Sequence, residues 1–380
     1  MVCEHCQRDA RFVERRARSY TSLVGNIRLN RCYYHCRACG RGYLPWVKEL
    51  GLAENSLTPA AAEITCIAGV QTSFAKASEI TLRKLSGLRL SESTVERTTE
   101  STGERVASLL EERVVFGKPT KWNWQRDARG RKCGYVSLDA TGVRQQGPGG
   151  IRAEGRMTYV GMVYNPQSTN DFDRPPPHQV RYLAGFYDLD TLGAQLRRQA
   201  EHIGWHDAEQ QLALTDGGAG LEEMLARFFP RATCILDFWH AKEHLVELAD
   251  SLWPEDESRR KAWLDDQCPR LKRDGGAAVL AVLEAIDVST RSAAVQEAHR
   301  RHTGYFRNNV HRMDYPTYVA NGWQIGSGPV ESACGTVIGD RLKGSGMRWG
   351  EPGSNHVAHL RALYLSEPRQ WEAFWKDHPN

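Results

Sequence analysis

Residues 133–142 read CGYVSLDATG, an apolar run of strand length that reaches an acidic residue, Asp139. Such runs predict β-strands, because apolar residues bounded by turn-forming residues suit a buried sheet. Strand patterns occur at residues 133–141, 157–164, 180–188, 211–214 and 232–236, and helical patterns at residues 192–203 and 221–229. The proline-rich residues 174–177 predict a loop. The chain is therefore expected to form a sheet whose later strands alternate with helices.

The pattern is wholly helical between residues 241 and 320, and the mixed pattern resumes near Trp323. Pro329 then lies near the first turn of a helix that carries Glu331, a position that proline favours. Three strands of antiparallel type, a helix, and then alternating strands and helices are the order of a ribonuclease H-like sheet covered by helices. The predicted fold class is therefore α/β, a ribonuclease H-like domain with an all-helical insertion.

Three acidic residues lie in distinctive sequence motifs: Asp139 in SLDATG, Asp216 in LTDGGAGL and Glu331 in IGSGPVESACG. Gathered without a cation, they would repel one another and one would take up a proton. Hard divalent cations prefer carboxylate oxygens, so the three predict a catalytic site for Mg²⁺ or Mn²⁺. Each acid also has a local explanation, as a turn aspartate or as a first-turn glutamate favoured by the helix dipole.

A second local signal is Asp237 and His240 in LDFWHAKEHL. Three residues apart, the two side chains share one helix face at the end of a predicted strand. They are predicted to orient the active site or the scissile strand. The alternative is a helix N-cap, Asp237, with a partly buried histidine.

The N-terminal region contains two CxxC knuckles, CEHC and CRAC. Four thiolates in this pattern predict a tetrahedral structural Zn²⁺ site, because a module this small needs a metal to fold. The gap between the knuckles is longer than in most zinc ribbons, and a hairpin could fill it. The predicted ligands are Cys3, Cys6, Cys36 and Cys39, with Cys32 and His35 as alternatives.

Positive charge is concentrated near the N-terminus. Residues 1–50 contain ten Arg or Lys and four Asp or Glu, a balance of +6 (10 − 4), whereas the whole chain carries +4. A basic module on a nearly neutral body suggests an arm that docks on a phosphate backbone. The alternative is ordinary solvated surface charge.

The segment LSESTVER, residues 90–97, resembles a turn followed by a recognition helix. In such helices short polar side chains face base edges, so Ser93, Thr94 and Arg97 are predicted to contact DNA, with Val95 as the anchor. The alternative is a serine-capped amphipathic helix.

The segment GDRLKGSGMRW follows Glu331. Arg341, Lys343 and Arg348 are predicted to clamp phosphates, and Trp349 to stack on an unpaired base. The alternative is a solvated helix end with a glycine C-cap.

Composition places the chain among globular proteins: of 380 residues, 41% are apolar and 25% charged. No run approaches the roughly twenty apolar residues of a membrane span, and the N-terminus has no apolar signal core. We expect a cytoplasmic protein with no membrane partner, whose cysteines are thiols or metal ligands. The predicted domains are residues 1–50 (zinc-ribbon-like module), 51–116 (helical DNA-binding region), 117–240 (catalytic domain, first part), 241–320 (helical insertion) and 321–380 (catalytic domain, last part).

The motifs LDATG, TDGGAGL, DFWHAKEHL and, above all, GWQIGSGPVESACGTVIGDRLKGSGMRW resemble bacterial insertion-sequence transposases of the ISKra type, a DDE family. The resemblance covers most of residues 132–365. It implies that Asp139, Asp216 and Glu331 bind the catalytic metal, and that Asp237 and His240 form a D-x-x-H signature.

The resemblance also implies a nucleoid-associated bacterial enzyme that cleaves DNA at the element's terminal inverted repeats and joins it to target DNA. Because two ends must be paired, we expect a homodimer or higher oligomer on DNA. The rival hypotheses are a zinc-containing, sequence-specific DNA-binding regulator without catalysis, and a metal-dependent nuclease without a joining step.

Overall fold

The computed structural model describes residues 1–45, 47, 50–52, 56–166, 179–366 and 369–378. The chain divides into two compact units. The first unit consists of Met1–Gly117, Val143–Arg156 and Val337–Asn380, and the second of Lys118–Gly142 and Met157–Thr336. The loop predicted at residues 174–177 lies outside the described residues.

The second unit contains a five-stranded mixed sheet, so the α/β class and the five strand positions are confirmed. Its strands are β4 (Cys133–Val143), β5 (Arg156–Asn165), β6 (Gln179–Gly185), β7 (Gln210–Thr215) and β8 (Ala232–Leu236). They lie in the order β6-β5-β4-β7-β8. β4 is parallel to β7 and β7 to β8, whereas β5 and β6 pair antiparallel.

Strand β4 lies at the centre of this sheet, and every residue from Cys133 to Leu138 is buried. Burial on both faces explains the continuous apolar run that predicted the strand. β4 continues past Asp139 to Val143, so the acid lies within the strand rather than at its end.

The second unit also contains helices. α4 (Leu189–His202) begins at Asp188, whose side chain accepts a hydrogen bond from the amide of Thr191. The insertion is helical, as predicted. The remaining helices of this unit are α5 (Leu221–Phe228), α6 (Phe238–Leu252), α7 (Glu257–Asp274), α8 (Gly276–Glu284), α9 (Ala293–Asn309), α10 (Tyr315–Ala320) and α11 (Gly328–Ala333).

The first unit begins with a small antiparallel sheet of β1 (Arg11–Ser22), β2 (Gly25–His35) and β3 (Gly42–Tyr43). Ser22 pairs with Gly25, so β1 and β2 form a hairpin with a two-residue turn. Gly25 has a φ of +111°, which only glycine adopts easily. This hairpin fills the gap between the two cysteine knuckles.

Helices α1 (Pro59–Gln71) and α3 (Glu92–Glu111) complete the first unit together with α13 (Glu351–Leu365) and α14 (Arg369–Asp377). Between α1 and α3, the short helix α2 (Phe74–Lys76) runs into a π-helical stretch, Ala77–Ser86. α3 and α13 approach so closely that a Cβ at Gly103 would lie 2.1 Å from the carbonyl oxygen of His356.

The contacts divide the predicted segment 321–380 after Thr336, and its C-terminal portion, including α12 (Asp340–Leu342), groups with the N-terminal helices. Among the helices of the described ranges, none is both long and apolar enough to cross a membrane.

Candidate functional site

Three aspartates lie in or directly after three parallel strands of the second unit. Ser137 of β4 pairs with Leu214 of β7, and continuing this parallel register by two residues sets Asp139 opposite Asp216. Thr215 of β7 pairs with Leu236 of β8, and one further residue sets Asp216 opposite Asp237. The carboxyl ends of parallel strands meet at one sheet edge, where ligand sites of α/β proteins form.

Asp139 is partly buried and engages two hydrogen-bond donors. The amide of Ala140 donates to Oδ1 over 2.7 Å, and the thiol of Cys334 lies 3.5 Å from Oδ2. Burial raises the pKa of Asp139, and the negative charge of Asp216 raises it further. Two neighbouring carboxylates with incompletely compensated charge suit a divalent cation.

Asp216 is held through its backbone by the helical insertion. The hydroxyl of Tyr305, in α9, donates to the carbonyl oxygen of Asp216 over 3.0 Å. Gly217 has a φ of +84°, and a Cβ there would lie 2.9 Å from Leu236 and 3.2 Å from the Tyr305 hydroxyl. The buried Arg312 donates to the Thr215 hydroxyl. The Asp-Gly sequence is thus required by tight packing as well as by the turn.

Asp237 is completely buried and caps α6. Its carboxylate accepts hydrogen bonds from the amides of Trp239, His240 and Ser327, and from the Ser327 hydroxyl. Although burial opposes ionisation, these donors and the imidazole of His240 lower the pKa of Asp237. The N-cap alternative therefore describes this carboxylate, whose lone pairs are largely occupied.

His240 and Glu331 lie beside Asp237. His240 Nδ1 is 3.7 Å from Asp237 Oδ2, and this carboxylate raises the pKa of His240 to about 9. The Oε1 atom of the exposed Glu331 lies 2.6 Å from the hydroxyl oxygen of Ser327, whose proton is donated to Asp237. The ligand atoms of Asp237, His240 and Glu331 all lie within 4.8 Å of one another.

The predicted triad is thus only partly gathered. Asp139 feels the charges of both Asp216 and His240, and His240 joins Glu331 and Asp237 in one cluster. Among the described residues, Asp139, Asp216 and Glu331 do not form a group with all ligand atoms within 4.8 Å. Cys334, three residues after Glu331, links the Glu331 segment to Asp139.

The four cysteines of the knuckles form a cluster with all sulfur atoms within 4.8 Å, which is compatible with a structural zinc site. Cys3 and Cys39 are 3.7 Å apart, and Cys6 and Cys36 are 3.5 Å apart. Both knuckles turn back on themselves in the same way: the amides of Gln7 and Gly40 donate to the carbonyls of Cys3 and Cys36. The alternative ligands Cys32 and His35 are not members of this cluster.

The predicted DNA contacts on α3 lie in its first two turns. Ser91 caps the helix by accepting from the amide of Thr94, and the two hydroxyl oxygens are 2.8 Å apart. Ser93 and Arg97 are exposed, and Val95 is fully buried as the predicted anchor. The serine-capped amphipathic helix is therefore present, with the predicted contact residues on its open side.

Two of the predicted DNA contacts after Glu331 need correction. Arg341 is only 1% exposed: its Nε donates to the carbonyl of Gly69 over 2.7 Å, and its guanidinium lies 4.5 Å from the centre of the Phe74 ring and 4.7 Å from that of Trp349. Trp349 is also buried and donates to the carbonyl of Leu342. These side chains build the core of the first unit, which leaves them inaccessible to phosphate or a base. Lys343 and Arg348 are exposed, and their DNA contact stays a prediction.

Sequence reasoning missed four residues of this site, namely Ser327, Cys334, Tyr305 and Arg312. Ser327 carried a local signal, because a small hydroxyl residue two positions before a first-turn proline suits a helix start. The other three residues carried no local signal, because each contacts a residue at least 89 positions away along the chain.

Comparison with known proteins finds no family model that matches the chain and no significant match among curated proteins.

Proposed function

We propose that this protein is a DDE transposase, a metal-dependent enzyme that cleaves DNA and transfers the cut strand, with a ribonuclease H-like catalytic domain. The observation that carries the proposal is that Asp139 lies in β4, and Asp216 and Asp237 directly follow its parallel neighbours β7 and β8, while Cys334 connects Asp139 to the segment of Glu331. Acidic residues at this sheet edge are what metal-assisted phosphodiester chemistry requires.

The architecture supports this proposal. When the five strands of the second unit are numbered 1 to 5 along the chain, they lie side by side in the order 3-2-1-4-5. Strands 2 and 3 pair antiparallel on one side of the sheet, and strands 1, 4 and 5 are parallel on the other. This agrees with the ribonuclease H-like sheet that the sequence predicts. The helical insertion lies between Asp237 and Glu331 in the chain, as the sequence pattern predicts.

The residues have distinct chemical roles in this proposal. Bound Mg²⁺ or Mn²⁺ would neutralise the attacking and leaving oxygens of the phosphodiester. Asp139 and Asp216 would hold the cation, and Glu331 would join them from α11. Asp237 keeps His240 protonated and, through Ser327, positions the start of α11. The cationic imidazole of His240 would stabilise the phosphate or the developing oxyanion.

The DNA-binding part of the proposal is supported by the hairpin of the first unit. Exposed arginines occur along it at Arg11, Arg15, Arg16 and Arg28. Arg16 lies directly opposite Arg31 and is ion-paired with Glu14 at 2.7 Å. A two-stranded ribbon of this kind fits the major groove of DNA. Pairing of two element ends would require a dimer or larger assembly on DNA.

The decisive experiment uses purified protein, Mn²⁺ or Mg²⁺, and a supercoiled plasmid carrying the DNA that flanks the coding sequence. Asp139→Asn, Asp216→Asn and Glu331→Gln should each reduce cleavage at least about 100-fold. Matched controls are Asp190→Asn, a surface ion-pair residue, and Glu257→Gln, a first-turn glutamate of α7, which should both retain activity.

The products identify the class of enzyme. Joined products support the transposase, whereas linear fragments alone indicate a nuclease. Specific binding of the flanking DNA without any metal-dependent cleavage indicates a regulator. Undiminished cleavage by Asp139→Asn or Asp216→Asn would contradict the proposed site.

We also propose that the four-cysteine cluster holds one structural Zn²⁺. Thiolates within this distance of one another are favoured when a cation neutralises them. Cys36→Ser should lower the zinc content by one ion per chain relative to the parent protein. Cys32→Ser is the matched control, because Cys32 lies on the same hairpin but outside the cluster, and its zinc content should be unchanged.

A further inference from the structure

We propose that His244, Glu247 and His302 form a second metal site, which binds a divalent transition-metal ion such as Zn²⁺ within the helical insertion. The ligand atoms of the three residues lie within 4.8 Å of one another. His244 and Glu247 belong to α6, and His302 belongs to α9. This inference is independent of the transposase proposal, since it concerns the insertion and not the aligned aspartates.

The two imidazoles face each other through the same ring atom. His244 Nδ1 and His302 Nδ1 are 2.9 Å apart, so at most one proton lies between them and at least one nitrogen offers a lone pair. With Zn–N bonds of about 2.0–2.1 Å, a tetrahedral ion holds two nitrogens about 3.3 Å apart. An opening of about 0.4 Å therefore admits the ion in place of the shared proton.

Glu247 is the third possible ligand, because one of its carboxylate oxygens lies within 4.8 Å of a ring nitrogen of each histidine. It lies three residues after His244, so both side chains share a face of α6. Its Oε2 is 3.7 Å from His302 Nε2, and 60% of its side chain is exposed. His302 is fully buried, whereas the Glu247 carboxylate is open to solvent, so an ion can enter the site from the side of Glu247. Two histidines and one glutamate are a common zinc set, with water in the fourth position.

The neighbouring side chains hold the two rings in place. His244 stacks on Tyr305 with ring centres 3.6 Å apart. An Arg301 nitrogen lies 3.0 Å from His302 Nε2 and 3.6 Å from Glu247, so this cation partly occupies the position beside the ligands. Coordination through Nδ1 leaves Nε2 of His302 protonated, so Arg301 no longer donates to it. The Arg301 side chain, which is already 62% exposed, then moves into solvent.

Occupancy would link the two helices that contact the row of aspartates. α6 begins at the Asp237 cap, and α9 carries Tyr305, which holds the Asp216 carbonyl. An ion bound between His244 and His302 would therefore restrain both helices against the sheet.

Metal content measured by mass spectrometry on tag-free, full-length protein dialysed against Zn²⁺ tests the inference. His244→Asn and Glu247→Gln should each bind one zinc ion per chain fewer than the parent protein. The controls are His299→Asn, whose imidazole contacts the Leu283 carbonyl, and Glu297→Gln, a surface ion-pair residue on the same helix. Both controls should match the parent. Circular dichroism verifies that each variant is folded.

The comparison is a difference between proteins, so it does not depend on the zinc content of the cysteine cluster. Equal zinc content in His244→Asn, Glu247→Gln and the parent protein would overturn the inference. A loss of one ion in the two controls as well would also overturn it. Neither outcome bears on DNA cleavage, which the aspartate variants test separately.

Discussion

The hydroxyl of Tyr305 donates a hydrogen bond to the backbone carbonyl of Asp216, across 89 residues of chain. The contact joins the helical insertion to the turn that presents one of the aligned acids. Because Gly217 packs against the same hydroxyl, the turn has little room to move. The insertion thus acts on the position of the Asp216 carboxylate without touching that group.

Removing this hydroxyl should slow the reaction without removing a metal ligand. A net hydrogen bond contributes about 0.5–1.5 kcal/mol, so Tyr305→Phe should reduce DNA cleavage about 2- to 10-fold. Raising the Mn²⁺ concentration should restore part of the rate if the carboxylate is merely displaced. Tyr187→Phe, which loses a hydrogen bond to Gln195 elsewhere in the unit, should cleave at the parent rate. Equal rates for all three proteins would exclude the positioning role.

Ser327→Ala should destabilise the second unit. Ser327 donates its amide and hydroxyl to the buried Asp237, and hydrogen bonds to charged groups contribute about 1.5–3 kcal/mol. We expect the free energy of unfolding in urea to fall by about this amount. Ser332→Ala, an exposed serine of the same helix, should change it by less than about 0.5 kcal/mol. A stability of Ser327→Ala equal to that of the control would show that the serine is dispensable.

The Asp237–His240 pair predicts a defined pH dependence. Asp237 raises the pKa of His240 to about 9, whereas an unfolded histidine titrates near 6.5. Since the folded value is the higher one, the stabilisation is complete below about pH 6.5 and is lost as the pH rises through 9. The difference in free energy of unfolding between the parent protein and His240→Gln should follow this course. A difference that grows above pH 9 would have the wrong sign. His206→Gln, at an exposed histidine, is the control.

Arg341→Ala distinguishes a core residue from a DNA contact. The side chain combines a hydrogen bond from its charged group with two aromatic rings, and burial lowers its pKa to about 10. We expect a loss of about 2–3 kcal/mol in unfolding free energy. Lys343→Ala, on the exposed side of the same segment, should be nearly neutral for stability. If Arg341→Ala weakens DNA binding while stability is unchanged, Arg341 is a phosphate contact, as the sequence predicts, and not a core residue.

The sequence predicted the parts of the fold that depend on local pattern. The five strands of the sheet are predicted because each is an apolar run, and the serine-capped helix that Ser91 begins is one of the two interpretations of residues 90–97. The burial of Arg341 could not be read in this way. Its partners, Gly69 and Phe74, lie more than 260 residues earlier, and only tertiary packing brings them together.

The site shows the same limit. The sequence allowed two interpretations of Asp237, an active-site residue or a helix N-cap. Its complete burial under Ser327 favours the N-cap. The alignment of Asp139 with Asp216 depends on a parallel register, which an apolar pattern does not specify. The hydrogen bond from Tyr305 to the Asp216 carbonyl depends on the path of the helical insertion, and no residue near Tyr305 in the chain predicts it.

The interleaving of the two units has a consequence for synthesis of the chain. α3 packs on α13 across Gly103 and His356, so the packing of the first unit is incomplete until α13 has left the ribosome. The N-terminal helices must therefore wait through the synthesis of the whole second unit, although domains generally fold in the order of their synthesis. A frameshift between Thr336 and α13 would leave the three aspartates and Glu331 in place, yet remove the helix that packs on α1 and α3. A helix made after the whole second unit thus completes the packing of the N-terminal helices.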